Sequence, residues 1–166
     1  MRTTAILLLL LVVGAAAHAQ SPSKEEKQQA QEAQIKALID SQHYTFDAQI
    51  AMPMNGHTIQ LTGDSYDLQV GKTTIVSYLP YYGRAYSAPL DPAKAGIQFS
   101  TKNFDYTVTP KKKGGWDVLI KTKDMQDAWQ LSLNITADGY ATLQVNGGNR
   151  QPISFSGMIL PTKQHH

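Results

Sequence analysis

The sequence predicts a mainly β protein: an antiparallel meander forming a barrel-like or strongly curved sheet, with one N-terminal α-helix. Two observations predict the sheet. Large apolar side chains alternate with polar ones at period two from Tyr44 almost to the C-terminus. The alternating runs are separated by short Gly/Asn/Asp clusters that suit tight reversals. A third observation predicts the helix: before Tyr44 the apolar residues follow a period near 3.6 instead.

Residues 1–19 read as a signal peptide. Arg2 supplies a positive start, Ile6 to Val13 is an unbroken apolar run, and Ala17-His18-Ala19 fits the small-x-small cleavage rule. The apolar run is short of the roughly 20 residues that span a bilayer, and no later stretch comes close. Gln20 is therefore the expected mature N-terminus. The 166 residues contain no cysteine, so neither a lipid-modified cysteine nor a disulfide framework is expected. A cysteine-free exported chain points to the periplasm or cell envelope, without a lipid anchor.

Residues 20–42 read as a helical segment with an exposed front half. Ser23-Lys24-Glu25-Glu26 is a capping box. The acidic residues Glu25, Glu26 and Glu32 lie nearest the positive end of the helix dipole. Gln31, Ile35, Leu38, Ile39 and Gln42 share one face, and its large side chains sit in the last two turns. The front half is expected to project or fray, and the back half to dock on the sheet.

Residues 43–162 read as the β domain. Tyr44, Phe46, Ala48, Ile50 and Met52 alternate, followed by Tyr66/Leu68/Val70, Ile97/Phe99, Phe104/Tyr106/Val108, Trp116/Val118/Ile120, Trp129/Leu131/Leu133/Ile135 and Ile153/Phe155. Runs of this kind have one buried face, whereas strands of a parallel sheet covered on both faces read as continuous apolar runs. Trp116, Trp129, Leu131, Leu133 and Phe155 are the expected core. Asn55-Gly56 predicts a type I′ hairpin turn. Gly71-Lys72, Gly114-Gly115, Ala137-Asp138-Gly139 and Asn146 to Asn149 predict further turns. Lys111-Lys112-Lys113 is expected at a solvated hairpin tip. Pro80 to Ala95 interrupts the alternation. Residues 163–166 are expected to form a loose tail.

Charge and composition narrow the function. Fifteen Lys+Arg stand against 13 Asp+Glu, without the strongly basic balance of a nucleic-acid binder. Of the histidines beyond the signal segment, His43 and His57 stand alone and His165-His166 falls in the tail. No metal-ligand spacing results. Asp64 and Asp67 flank a turn, where Asp has a structural reason to be. Phe155-Ser156-Gly157 reads as a strand rather than a nucleophile elbow. Gly147-Gly148-Asn149-Arg150 joins two strands and lacks the helix N-terminus of a phosphate cradle. No catalytic residue, metal or cofactor is assigned, and the chain is expected not to be an enzyme.

Ser77 to Pro89 is chemically distinct. It holds Tyr78, Tyr81, Tyr82 and Tyr86, four of the protein's eight tyrosines, with Arg84 and two prolines. Clustered Tyr and Arg suit recognition surfaces; equally, tyrosines can plug a barrel end with their hydroxyls bonded to loop backbone. Tyr78, Tyr81, Tyr82, Arg84, Tyr86 and Arg150 are the candidate binding residues. Two uses follow: a small amphipathic ligand at a lipocalin-like barrel mouth, or a protein- or glycan-interaction surface along Tyr78 to Tyr86. A hydrolase with an unrecognised site is the remaining alternative. The expected partner is thus a small ligand or an envelope protein; no nucleic acid and no transmembrane span are expected.

Three stretches carry a family resemblance. Ser77-Tyr78-Leu79-Pro80-Tyr81-Tyr82-Gly83-Arg84-Ala85-Tyr86, Gly96-Ile97-Gln98-Phe99 and Asn149-Arg150-Gln151-Pro152-Ile153-Ser154-Phe155 resemble an uncharacterised family of exported bacterial proteins, number four-two-five-one in the domain-of-unknown-function series. The resemblance runs from about Ala37 to Ile159. It implies a place in the envelope of Gram-negative gut anaerobes and no known activity. Members often begin with a lipoprotein signal, whose cysteine this chain lacks.

Overall fold

The computed structural model describes residues 23–62, 65–83, 96–123, 129–147 and 150–162. Residues 1–22 and 163–166 lie outside that set, and with them the signal peptide and the tail. One helix, α1 (Lys24–Ser41), precedes ten strands: β1 (Tyr44–Pro53), β2 (Ile59–Gln60), β3 (Asp67–Val70), β4 (Ile75–Leu79), β5 (Ile97–Thr101), β6 (Phe104–Pro110), β7 (Trp116–Thr122), β8 (Trp129–Ile135), β9 (Tyr140–Gly147) and β10 (Ile153–Pro161).

All strands belong to one antiparallel sheet in the order β5-β4-β3-β1-β10-β9-β8-β7-β6, with β2 paired to β1. The meander is therefore drawn together by its first and last long strands, β1 and β10, which pair from Tyr44↔Pro161 to Pro53↔Ile153. Because every neighbour along this path is antiparallel, its two ends, β5 and β6, run in the same sense. They are consecutive in the chain, with only Lys102 and Asn103 between them. Residues 97–110 thus act as one long strand bent in the middle, pairing with β4 through the first half and with β7 through the second. Asn103 holds the bend: its N–H donates to Thr101 Oγ1 at 3.1 Å and its carbonyl accepts from the Lys123 N–H at 2.9 Å. The sheet returns on itself as a nearly closed barrel, which shields the strand edges.

The interior is filled by side chains. Phe46, Leu68, Ile75, Leu79, Ile120 and Phe155 are completely buried, and the expected core residues Trp116, Trp129, Leu131 and Leu133 join them. Filling of this kind is normal where a barrel has about eight strands.

Two sequence-based expectations need correction. First, β1 does not alternate throughout. A bulge between Ala48 and Ile50 inserts Gln49, so Ala51 turns inward and Ile50 and Met52 are only half-buried. Gly157 lies opposite, and a Cβ there would fall 1.9 Å from the Asp47 carbonyl oxygen; only glycine lets the two strands approach. Second, Asn55-Gly56 is not a type I′ turn. Such a turn needs positive φ at both central residues, yet Gln42 is the one non-glycine with positive φ among the described residues. The pairing between β1 and β2 is limited to Ile50↔Gln60 and Ala51↔Ile59, and the chain between them makes a wider loop. Asp67 opens β3 and sits directly opposite Asp47, and Asp64 lies outside the described residues.

The helix covers one end of the barrel. Ser23 and Glu26 form the reciprocal capping box, with bonds of 3.2 and 2.7 Å. Ile35 and Ile39 are buried against the sheet, while residues 23–31 are exposed. Ile35 packs beside Gly139 in the β8–β9 turn, where φ is +89° and an added Cβ would meet Ile35 Cδ1 at 2.8 Å. Below Ile39, the Tyr106 hydroxyl donates to the Ile39 carbonyl at 3.4 Å and lies 3.2 Å from the Tyr44 hydroxyl.

Candidate functional site

The opposite end of the barrel gathers the segment singled out in the sequence. β4 ends at Leu79 because Pro80 brings no N–H to the ladder. Leu79 is completely buried, so alternation turns Tyr78 outward, where it is 46 % exposed. After Pro80 the chain crosses the barrel end, and Tyr81 packs against the core while its hydroxyl donates to the Gln151 carbonyl at 3.0 Å. The Arg150 guanidinium sits over the Tyr81 ring at 5.0 Å and near the Trp129 ring at 6.0 Å. Its Nη1 donates to the Gly96 carbonyl at 3.2 Å. Trp129 in turn stacks on Phe99. Tyr81, Arg150, Trp129 and Phe99 therefore close this end as one aromatic and cationic layer that joins the chain ahead of β5 to the chain ahead of β10.

The six candidate residues thus separate. Tyr81 and Arg150 belong to the closing layer. Tyr78 and Tyr82 face out, the latter 42 % exposed. Arg84 and Tyr86 lie outside the described residues. Tyr78 is not a loose ring: it stacks on Tyr66 with centroids 5.9 Å apart and planes 14° from parallel.

Beside Tyr78 lies a group the sequence reading passed over. Cross-strand register places Asp47 opposite Asp67, and Asp67 opposite Tyr78, in one row across β1, β3 and β4. Gln69, two residues along the same outward face of β3, donates from Nε2 to Asp67 Oδ2 at 3.0 Å. A depression of about 230 Å³ lies over Thr45, Asp47, Asp67 and Gln69, bounded by Ser65 and by Leu160 to Thr162. Alternation marks each of these residues as outward, but their adjacency follows from strand pairing, which no local pattern reports.

Elsewhere the ionisable chemistry is structural. Tyr44 and Tyr106 are pushed above the usual phenol value, in both cases mainly by burial. The described residues contain no group of three or more His, Cys, Asp or Glu able to hold a metal. No helix among them is long and apolar enough to cross a membrane.

Comparison with known proteins gives one consistent result. The profile of a family described as a domain of unknown function (DUF4251) matches residues 26–159. A crystal structure of a DUF4251 family protein from Bacteroides eggerthii DSM 20697 superposes with a TM-score of 0.61 at 20 % identity, covering 81 % of this chain and 91 % of that one. No curated protein matches.

Proposed function

The chain belongs to the DUF4251 family, and from that premise we propose that it is an exported, non-catalytic binding module of the cell envelope whose contact surface is the outside of the barrel around Tyr78 and Tyr82. The observation that carries the reading is the outward Tyr78 ring held flat on Tyr66. A large aromatic fixed before contact gives up little conformational freedom on binding, which is why Tyr is favoured in contact surfaces. Exposure of Tyr82 on the same stretch of chain extends that surface. A ligand at the barrel mouth is less well supported, because it has to displace the layer of Tyr81 and Arg150 and break their bonds to Gln151 and Gly96. Residues 1–19 support export by their charge, apolar run and cleavage triplet.

Retention of envelope extract from the producing bacterium on immobilised protein tests this reading, with melting curves alongside. Tyr82→Ala is expected to fold with stability within about 0.5 kcal/mol of wild type, as exposed substitutions do, Tyr78→Ala to fold with a loss of about 0.5–1.5 kcal/mol for its stack on Tyr66, and both to lose retained material. Equal retention by wild type and both variants overturns the assignment.

A further inference from the structure

We propose that Asn55 is a modification site: an asparagine that converts spontaneously, without an enzyme, to aspartate and isoaspartate in the folded protein. The chain holds two Asn-Gly pairs, Asn55-Gly56 and Asn146-Gly147. Glycine obstructs this reaction least, because it lacks a Cβ and turns through backbone angles closed to other residues. The two pairs carry the same local chemistry, and the fold treats them oppositely. Asn55 and Gly56 are exposed in the loop between β1 and β2. The tight turn that such a pair suits is not made, so no hairpin geometry fixes it. Among the described residues the Gly56 N–H has no hydrogen-bond partner. A Cβ built on Gly56 would meet only Pro53 side-chain atoms, at 3.8 Å, so the loop has room to turn. Asn146 and Gly147 instead belong to β9 and are half-buried, Asn146 opposite Gln130 and Gly147 opposite Trp129. The ladder holds that pair extended.

The reaction requires the Gly56 nitrogen to reach Cγ of Asn55. The Asn55 backbone must turn until that nitrogen eclipses Cβ, away from the extended range. A loop makes this rotation freely, whereas a ladder residue first has to leave its partners by local opening. The balance closes with solvent water alone. The bond from Gly56 N to Asn55 Cγ forms and the bond from Cγ to Nδ2 breaks. Nδ2 leaves as ammonia and takes the Gly56 N–H proton, so the product is a five-membered succinimide. Water then opens the ring. Attack at Cγ gives aspartate; attack at the main-chain carbonyl carbon gives isoaspartate, whose chain runs through Cβ. In both cases the ring nitrogen regains a proton, and nothing is oxidised or reduced. Either product puts a carboxylate, ionised at neutral pH, where a neutral amide stood. Asn103 and Asn134 precede Phe104 and Ile135, whose side chains obstruct the same attack. The barrel tolerates the change, because residues 54–58 contribute nothing to the core and β2 pairs with β1 only at Ile50↔Gln60 and Ala51↔Ile59.

The test incubates the chain from Gln20 onward in neutral buffer over weeks, one portion folded and one in urea. Samples are taken for isoelectric focusing and for peptide mapping by mass spectrometry. In the folded portion a more acidic band is expected to accumulate, with aspartate or isoaspartate at position 55 and the amide of Asn146 retained. Conversion at Asn55 is expected to be at least about tenfold faster than at Asn146, which has to wait for the ladder to open. In urea, where neither pair is held, the two rates are expected to converge. Asn55→Gln, whose closure would need a six-membered ring, is expected to abolish the acidic band and to melt like wild type, as exposed substitutions do. Asn55→Asp, which supplies one product directly, is expected to melt like wild type as well. An Asn55 peptide that keeps its amide in the folded protein overturns the proposal, whatever happens in urea. Equal conversion of Asn55 and Asn146 in the folded protein, or an acidic band of full intensity in Asn55→Gln, overturns it too.

Discussion

The guanidinium of Arg150 lies 5.0 Å from the centre of the Tyr81 ring, and each of these residues also bonds to a carbonyl in a different segment, at Gly96 and Gln151. The pair therefore ties three stretches of chain across one end of the barrel. Arginine suits the position because its planar group stacks and donates at once, whereas lysine offers a point charge. Arg150→Ala and Arg150→Lys are both expected to destabilise by about 1–3 kcal/mol. Tyr81→Phe, which keeps the ring and loses one hydrogen bond, should cost about 1 kcal/mol. Chemical denaturation followed by tryptophan emission checks this, because Trp129 lies beside the same guanidinium. Full stability in Arg150→Lys would show that the charge alone suffices.

At the other end, Tyr44 and Tyr106 make stability depend on alkaline pH. Burial is the main cause of the upward shift in both; the charge and hydrogen bond of Tyr106 add to it for Tyr44. A phenol whose folded-state value is raised is held protonated by the fold. Its contribution is complete below pH 10.0, the ordinary phenol value, and is lost as pH climbs from there towards the raised values. Urea denaturation should therefore give a flat stability from neutral pH to about 10 and a fall above it. Tyr44→Phe should make the fall shallower, and tyrosinate absorbance should show at least one phenol that titrates only as the protein unfolds.

The β1 bulge leads to a third expectation. Gly157 faces the inserted Gln49 region so closely that an added Cβ would lie 1.9 Å from the Asp47 carbonyl oxygen and 3.1 Å from the Ala48 Cα. Both are backbone atoms, so no side chain can swing away. Gly157→Ala should cost about 3 kcal/mol, the upper part of the overpacking range. Thermal melting that shows a loss below about 0.5 kcal/mol would mean that the bulge relaxes freely.

These cases mark what was legible in the sequence. Period-two alternation located seven of the ten strands, since burial on one face imposes it directly; β2, β4 and β9 were not among the runs it marked. Even the bend in residues 97–110 left a trace: inward positions run Ile97, Phe99, Thr101 and then Phe104, Tyr106, Val108, a slip of one residue at Lys102-Asn103. The β1 bulge left none, because the glycine that permits it lies in β10. The same limit hid the row of Asp47, Asp67 and Tyr78, whose members occupy three strands. Tyr81 and Tyr82 are adjacent tyrosines with opposite fates, and the difference follows from which ring finds Arg150 and the Gln151 carbonyl rather than from composition.

The last prediction concerns the end of α1. Gln42 caps the helix in the left-handed region, with φ 49° and ψ 47°, and its N–H reaches the Ile39 and Leu38 carbonyls while the His43 N–H also reaches back to Leu38. This is the Schellman ending, in which glycine is favoured because a Cβ in this conformation costs about 1–2 kcal/mol. Gln42→Gly should therefore raise global stability by about 0.5–1 kcal/mol, part of the relief being offset by the greater freedom of glycine in the unfolded chain. Gln42→Val should lower it, since a branched Cβ makes the same geometry worse. The gain should appear in global melting because the cap lies three residues from completely buried Ile39 and two from Tyr44. Ser23→Ala is the informative contrast. It removes the other cap of the same helix, normally worth about 1 kcal/mol, yet residues 23–31 are exposed and can fray without uncovering the core. Hydrogen exchange should then show faster exchange confined to the first turns, with the melting temperature almost unchanged. Equal global losses from Ser23→Ala and Gln42→Val would show instead that the front of α1 is bound to the barrel through contacts such as Gln31 Nε2 to the Asp138 carbonyl, 2.7 Å apart.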